Sequence, residues 1–227
     1  MNNWKDIYNK KERVDKFILE MLIKADGFDS PTGKFDVDDW NEYIKEHYNK
    51  AFIQNGDTIY EVGCGSGAFL YPLYKNGYKV GGVDFAEALV NLAKVMMPES
   101  DFVADEAINL STEDKYDIVL SHGVFVYFKY DYAEEVLNKM MQKSKKIIAI
   151  FDINDKEKEE NYHKIRMETM SKEEYEKKYE GLNHYFYEKS FFEKFAKNNN
   201  LEIEIFDQTF DKYNNAKFRF NVIMRRR

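Results

Sequence analysis

The rhythm of apolar and polar positions changes near residue 57. Before it, Val14, Phe17, Ile18, Met21 and Leu22 recur at three- and four-residue spacing, the stripe of an amphipathic helix. Gly27 and the run Asp29-Ser30-Pro31-Thr32-Gly33 break that helix. Asp38 and Asp39 open a second helix carrying Trp40, Tyr43, Ile44 and Tyr48, with its acids at the positive end of the dipole. After residue 57, short apolar runs alternate with helical ones. Strands are predicted over 58–62, 79–83, 101–104, 116–121 and 146–151, and helices over 66–76, 86–97 and 132–143. Alternation at this spacing predicts a parallel sheet covered on both faces. Residues 154–182 are densely charged and read as helical. A helix over 190–197 follows, with Ser190 and Glu193 as a capping box. Two final strands, 201–207 and 218–224, flank a polar turn and pair antiparallel.

With 227 residues, the pattern fits a single domain. Its expected parts are a helical cap over 1–50, a core over 51–153, a helical insertion or lid over 154–190, and a closing helix and strand pair over 191–227. The 18 Phe, 17 Tyr and 2 Trp argue against disorder. A net charge of −7 argues against a nucleic-acid partner, which demands a basic surplus. Arg225, Arg226 and Arg227 read as a solvated tail. A single cysteine, Cys64, excludes an internal disulfide framework. No apolar run reaches the roughly 18 residues of a membrane span, and the first residues show no signal-peptide pattern. A soluble, cytoplasmic protein, monomer or homodimer, with no membrane association is the expectation.

The chemistry concentrates where the first strand meets the next helix, at Glu61-Val62-Gly63-Cys64-Gly65-Ser66-Gly67. Glycine there permits a sharp turn and close approach of a ligand to the backbone. Ligands of open parallel sheets bind at such strand ends. Gly63-x-Gly65-x-x-Ala68 alone also satisfies the loose dinucleotide fingerprint, which keeps an NAD(P)-dependent dehydrogenase open. Against it stand Glu61, where a dehydrogenase strand is usually apolar, a third glycine at Gly67, and acids at later strand ends, Asp84 and Asp105. Asp84 reads either as a ribose acceptor, since an ionised carboxylate accepts from two vicinal hydroxyls, or as a helix N-cap. Cys64 reads as a small residue of the loop, because no histidine arrangement accompanies it as it would a nucleophile.

An acid, one residue, then Gly-x-Gly-x-Gly resembles the first motif of the class I S-adenosylmethionine-dependent methyltransferases, and the likeness runs over about residues 57–155. The resemblance implies an α/β, Rossmann-like, seven-stranded and mostly parallel sheet with the last strand antiparallel. It implies S-adenosyl-L-methionine as cofactor, with Glu61, Gly63, Cys64, Gly65 and Gly67 around its methionine part. Asp84 would then accept both ribose hydroxyls, with Phe85 also at the cofactor, and Asp105, with Glu106 or Ala107 beside it, would sit near the adenine amine. Trp40, Tyr43 and Tyr48 would close over the cofactor, and Tyr8 would hydrogen-bond its carboxylate. As an alternative, the N-terminal aromatics are packing.

The loop after the fourth strand, Ser121-His122-Gly123-Val124-Phe125-Val126-Tyr127, reaches the transferred methyl group in the resembling family. Ser121 and His122 are placed beside the cofactor, and His122 is the first candidate base. A hydroxyl acceptor needs such a base; a neutral amine does not. His184 and Asp152 are further catalytic candidates, and Tyr127, His184, Tyr187 and Arg166 candidates for binding the acceptor. Core packing and surface charge are the alternatives for these. Asp152 and Asn154 are too few for a divalent ion, and no metal is expected. The function expected is methyl transfer to an O or N atom of a small polar metabolite, such as a sugar or sugar nucleotide in a bacterial polysaccharide or secondary-metabolite pathway. A non-catalytic S-adenosylmethionine-binding protein is the remaining alternative.

Overall fold

The computed structural model describes residues 4–28, 35–168 and 184–227, together with 171, 173, 174 and 177, and side chains from residue 12 onward. Two helices come first, α1 (Trp4–Ala25) and α2 (Val37–Lys50). Then strands and helices alternate: β1 (Thr58–Val62), α3 (Tyr71–Lys75), β2 (Lys79–Asp84), α4 (Glu87–Met96), β3 (Asp101–Ala104), β4 (Tyr116–His122), α5 (Tyr130–Lys143) and β5 (Ser144–Asn154). The described remainder comprises α6 (Glu159–Met167), α7 (Lys189–Asn198), β6 (Leu201–Asp207) and β7 (Arg219–Arg226).

The seven strands form one sheet in the order β3-β2-β1-β4-β5-β7-β6. β7 alone runs against the others, antiparallel to both β5 and β6. Side chains alternate across the sheet as the strand period of two requires. Ile59, Ile118, Leu120, Ala149 and Phe151 enter a core with α1 and α2, whereas Tyr60, Val119, Ile148 and Ile150 enter a core with α5 and α7. The reversal of β7 has a direct consequence. Its first residue, Arg219, pairs with Asn154 and so lies at the edge where the parallel strands end.

Several local expectations are corrected. The buried line of α1 is Leu19, Leu22 and Ile23, while Val14 and Phe17 are 49% and 67% exposed. Two apolar lines run side by side on this helix, and packing against α2 selects the aliphatic one. The helix expected over 66–76 shrinks to α3, because Gly65 and Gly67 take positive φ and Pro72 is tolerated only in a first turn. The capping box fails: α7 begins at Lys189, with Glu188 at its N-cap, and Ser190 Oγ donates to Glu188 Oε2 at 3.2 Å. The turn before β7 is not simply polar, since it buries Phe210 and Tyr213 against Phe35. The terminal arginines are not a tail either. Arg225 and Arg226 belong to β7; Arg225 pairs with Glu204 and Arg226 donates to the Met141 carbonyl. Among the described residues no helix is long and apolar enough to cross a membrane.

Helix α2 is the cover of the glycine loop. Asp36 caps it, accepting from the Asp38 and Asp39 amides. Fully buried Trp40 donates from Nε1 to the Ala68 carbonyl at 3.1 Å and packs on Phe28, Phe35 and Tyr43. Trp40→Ala is expected to destabilise the fold by about 3–5 kcal/mol in urea unfolding. A loss below about 1 kcal/mol would show that α2 is not anchored there.

Candidate active site

The site begins at the turn after β1. Gly63 and Gly65 have φ of +77° and +50°, the region where L side chains are strained. A Cβ on Gly63 would stand 2.2 Å from Val124 Cγ2, and one on Gly65 2.5 Å from Asp26 Oδ1. Two carboxylates grip the loop backbone from either side. Asp84, at the end of β2, accepts from the Gly65 amide at 2.9 Å and from the Ala86 amide at 2.8 Å. Asp26, just past α1, accepts from the Ser66 amide at 2.7 Å, and Ser66 Oγ donates to the Leu22 carbonyl at 3.1 Å. Asp84 therefore braces the turn between β2 and α4 without capping the helix, whose N-cap Ala86 has no side-chain cap hydrogen bond. Two oxygens offer about four acceptor positions, so capacity for a ligand remains.

A cavity of about 470 Å³ opens above this turn. It follows the sheet edge: Asp84 from β2, Glu61 from β1, His122 from β4, Asp152 from β5 and Arg219 from β7 all line it. Gly63, Cys64, Gly65 and the 75% exposed Phe85 line it on the loop side. Tyr127, Arg166 and His184 line it too. The loop side is acidic. Burial, with Ser66 opposing it, raises the Asp26 carboxyl to about 6. Burial pushes Glu61 well above the carboxylate range, with Asp26 and Asp84 adding to the shift. Glu61 Oε2 is buried without a hydrogen-bond partner. Burial likewise pushes the Cys64 thiol up, as for an inert thiol.

The histidines of the cavity are neutral. Burial first, and then Arg219, lowers His122 to about 3. Its Nε2 lies 2.8 Å from Tyr43 Oη, and its ring stacks on Phe69. His184 is lowered to about 4 by burial, then by Arg219 and Arg166; its Nδ1 lies 3.3 Å from Tyr162 Oη. Asp152 has a φ of +63° at the end of β5. It accepts from Tyr213 Oη at 2.7 Å and stands 3.7 Å from Arg219 Nε.

Other expected residues lie apart from the cavity lining. Gly67 faces Met97 behind the turn. Ser121 is buried with its Oγ unpartnered. Tyr43 reaches the site through His122. Asp105 is occupied by the Asn109 side chain at 2.8 Å and the Glu106 amide at 2.7 Å, and Glu106 receives Tyr132 Oη at 3.4 Å. Tyr187 is fully buried and gives its hydroxyl to the Phe128 carbonyl, so it has no surface to offer an acceptor. The side chain of Tyr8 falls outside the described residues. Sequence reasoning missed Asp26, Tyr162, Tyr213, Asn215 and Arg219, all of which line the cavity. Asp26 before Gly27 carried a faint signal, an acid where the first helix breaks; Arg219 between Phe218 and Phe220 carried another, a charge inside an apolar strand.

The raised Asp26 has a definite sign. Its folded value, about 6, exceeds the ordinary 3.8, so its contribution to stability is full below pH 3.8 and is lost as pH rises through 6. Asp26→Asn keeps an acceptor for Ser66 and removes the buried charge. It is expected to raise the ligand-free protein's stability at pH 7.5 by about 1–3 kcal/mol and to flatten its decline between pH 4 and 6, as read in urea titrations. A destabilised variant at pH 7.5 would contradict this assignment.

Residues 59–146 match a family model described as a methyltransferase domain. Malonyl-(acyl-carrier protein) O-methyltransferase 1 from Ilyobacter polytropus is 33% identical over 73 residues, 30% of this chain and 27% of that protein. Putative methyltransferase 235L from Invertebrate iridescent virus 6 is 31% identical over 80 residues, 34% of this chain and 30% of that protein. The matched stretch thus spans under a third of either curated relative. Among solved structures, magnesium protoporphyrin IX methyltransferase from Synechocystis with bound SAH superposes with a TM-score of 0.63 at 16% identity, over 93% of this chain and 100% of that one. A methyltransferase from Clostridium acetobutylicum gives 0.59 at 15% identity, over 97% and 99%. Identities this low speak for the fold. Residues 59–146 thus match a methyltransferase domain, and the chain has the Rossmann-like fold of these S-adenosylmethionine-dependent methyltransferase structures.

Proposed function

We propose that this protein transfers the methyl group of S-adenosyl-L-methionine to an oxygen or nitrogen atom of a small polar metabolite. The observation that carries the proposal is the order of groups along one sheet edge: acids on β2 and β1, a neutral histidine on β4, and an Asp–Arg pair on β5 and β7. The residues fit the cofactor. Glu61 Oε2 is a buried acceptor lacking a donor, and Gly63 and Gly65 present bare backbone to the cavity they line. Asp84 would take the ribose hydroxyls, and Glu61 with Asp26 the cationic end of the methionine part. The bound cofactor supplies an electrophilic methyl on a sulfonium. The chain's own residues would orient the acceptor beside it.

The described residues of the segment 154–190 are proposed to cover the acceptor, since Tyr162, Arg166 and His184 come from them. A sugar hydroxyl as acceptor would call on a general base matched to the working pH. His122 and His184, lowered to about 3 and 4, hold a proton too weakly for that task. An acceptor atom already free of its proton suits this cavity better.

Calorimetric titration with S-adenosylhomocysteine tests the donor directly. The expected outcome is saturable binding, absent with NAD+ or NADH at the same concentrations. Asp84→Asn is expected to weaken binding at least about tenfold through lost charge-assisted hydrogen bonds. Binding of NADH in place of S-adenosylhomocysteine would overturn the reading in favour of a dehydrogenase.

A further inference from the structure

The far end of the cavity holds a cation with fewer partners than its chemistry calls for. Arg219 is only 6% exposed. Its Nε has no hydrogen-bond partner, and neither does Asp152 Oδ1, 3.7 Å away. Nη1 reaches the Asp152 carbonyl at 3.5 Å, the limit of a hydrogen bond. Asp152 spends its other oxygen on Tyr213 Oη at 2.7 Å. Asp152 thus balances part of the charge of Arg219 without engaging the guanidinium fork. A guanidinium presents donors in a planar fork matched to two carboxylate oxygens, and donors left unmet in a buried place are costly.

Charge along the cavity points the same way. Asp26, Glu61 and Asp84 surround the glycine loop, so the acids other than Asp152 belong to the cofactor side. Two guanidinium groups line the cavity, Arg219 beside Asp152 and Arg166 near His184, the latter 4.2 Å from the centre of the Tyr162 ring. Burial, aided by these cations, keeps His184 neutral, so this end has more positive than negative charge.

We infer that Arg219 binds a carboxylate of the methyl acceptor, and that an oxygen of this carboxylate is the atom methylated. The inference rests on the methyltransferase reading above. A carboxylate oxygen forms the new O–CH3 bond while the S–CH3 bond of the sulfonium breaks, its electron pair remaining on sulfur. A carboxylate anion and a sulfonium cation give a neutral methyl ester and a neutral thioether. No proton moves, which fits a site whose histidines are poor bases. The ester lacks the charge that held the substrate to Arg219, so product release follows from the chemistry.

Benzoate, benzamide and inorganic phosphate serve as probes, titrated calorimetrically into the protein with and without S-adenosylhomocysteine. Benzoate is expected to bind at least tenfold more tightly than benzamide, its neutral isostere. Arg219→Gln is expected to weaken benzoate at least tenfold, with S-adenosylhomocysteine affinity within threefold of the parent and a cooperative melt. Arg219→Lys, which keeps the charge and loses the fork, is expected to fall between the two. The parent's benzoate-to-benzamide ratio decides the matter if the variants do not fold. Equal binding of benzamide, no binding of benzoate, preference for phosphate, or an Arg219→Gln protein unchanged toward benzoate would each overturn the inference. Arg219-dependent benzoate binding without any S-adenosylhomocysteine binding would leave the anion site standing and sink the methyltransferase reading alone.

Discussion

Two carboxylates holding one loop are the constraint on which the rest of the site depends. The turn after β1 needs positive φ at Gly63 and Gly65, a conformation with little stability of its own. Asp84 and Asp26 fix it by accepting from consecutive backbone amides, Gly65 and Ser66, from opposite sides. Because Asp26 follows α1 and Asp84 ends β2, this pair of hydrogen bonds ties the N-terminal cap to the sheet. Helix α2 adds a third tie through Trp40 and the Ala68 carbonyl. Burying Asp26 beside Glu61 raises the proton affinity of both. That disfavoured charge is the natural counterpart of a cationic ligand, whose binding would relieve it.

From that turn the sheet lays out the chemistry in one dimension. Neighbouring strands lie about 5 Å apart, and the groups that end on β2, β1, β4, β5 and β7 succeed one another at that step. Negative charge gathers at one end and positive charge at the other. The antiparallel direction of β7 is essential to this arrangement, because it brings the first residue of a strand, Arg219, to an edge otherwise made of last residues. Under the proposed function, a donor bearing a cation and an acceptor bearing an anion would thereby be drawn to adjacent places before any bond changes.

Much of this was legible in the chain, for physical reasons that also explain the rest. β1 and β3 fall on the residues their apolar runs indicated, and the glycine loop, Asp84 and His122 meet in one cavity. Apolar periodicity and turn glycines are local signals, and they carried those elements. Long-range partners had no such signal. Asp26 reads as the charged end of a surface helix, and only its 2.7 Å bond to Ser66, 40 residues on, reveals its place. Arg219 reads as a strand residue, and Phe210 and Tyr213 as parts of a polar turn, until the sheet closes around Asp152. Tyr187 misled in the other direction: an aromatic run near a proposed lid suggested a binding surface, but its ring fills the core beside Phe192 and Phe191.

The most direct measurement is a crystal structure of the protein with S-adenosylhomocysteine. The expected result places both ribose hydroxyls within hydrogen-bond reach of Asp84, the amino group beside Asp26 and Glu61, and the sulfur toward His122 with Arg219 beyond it. Density for the ligand elsewhere, or a ribose that makes no contact with Asp84, would contradict the assignment of the acidic end to the methyl donor.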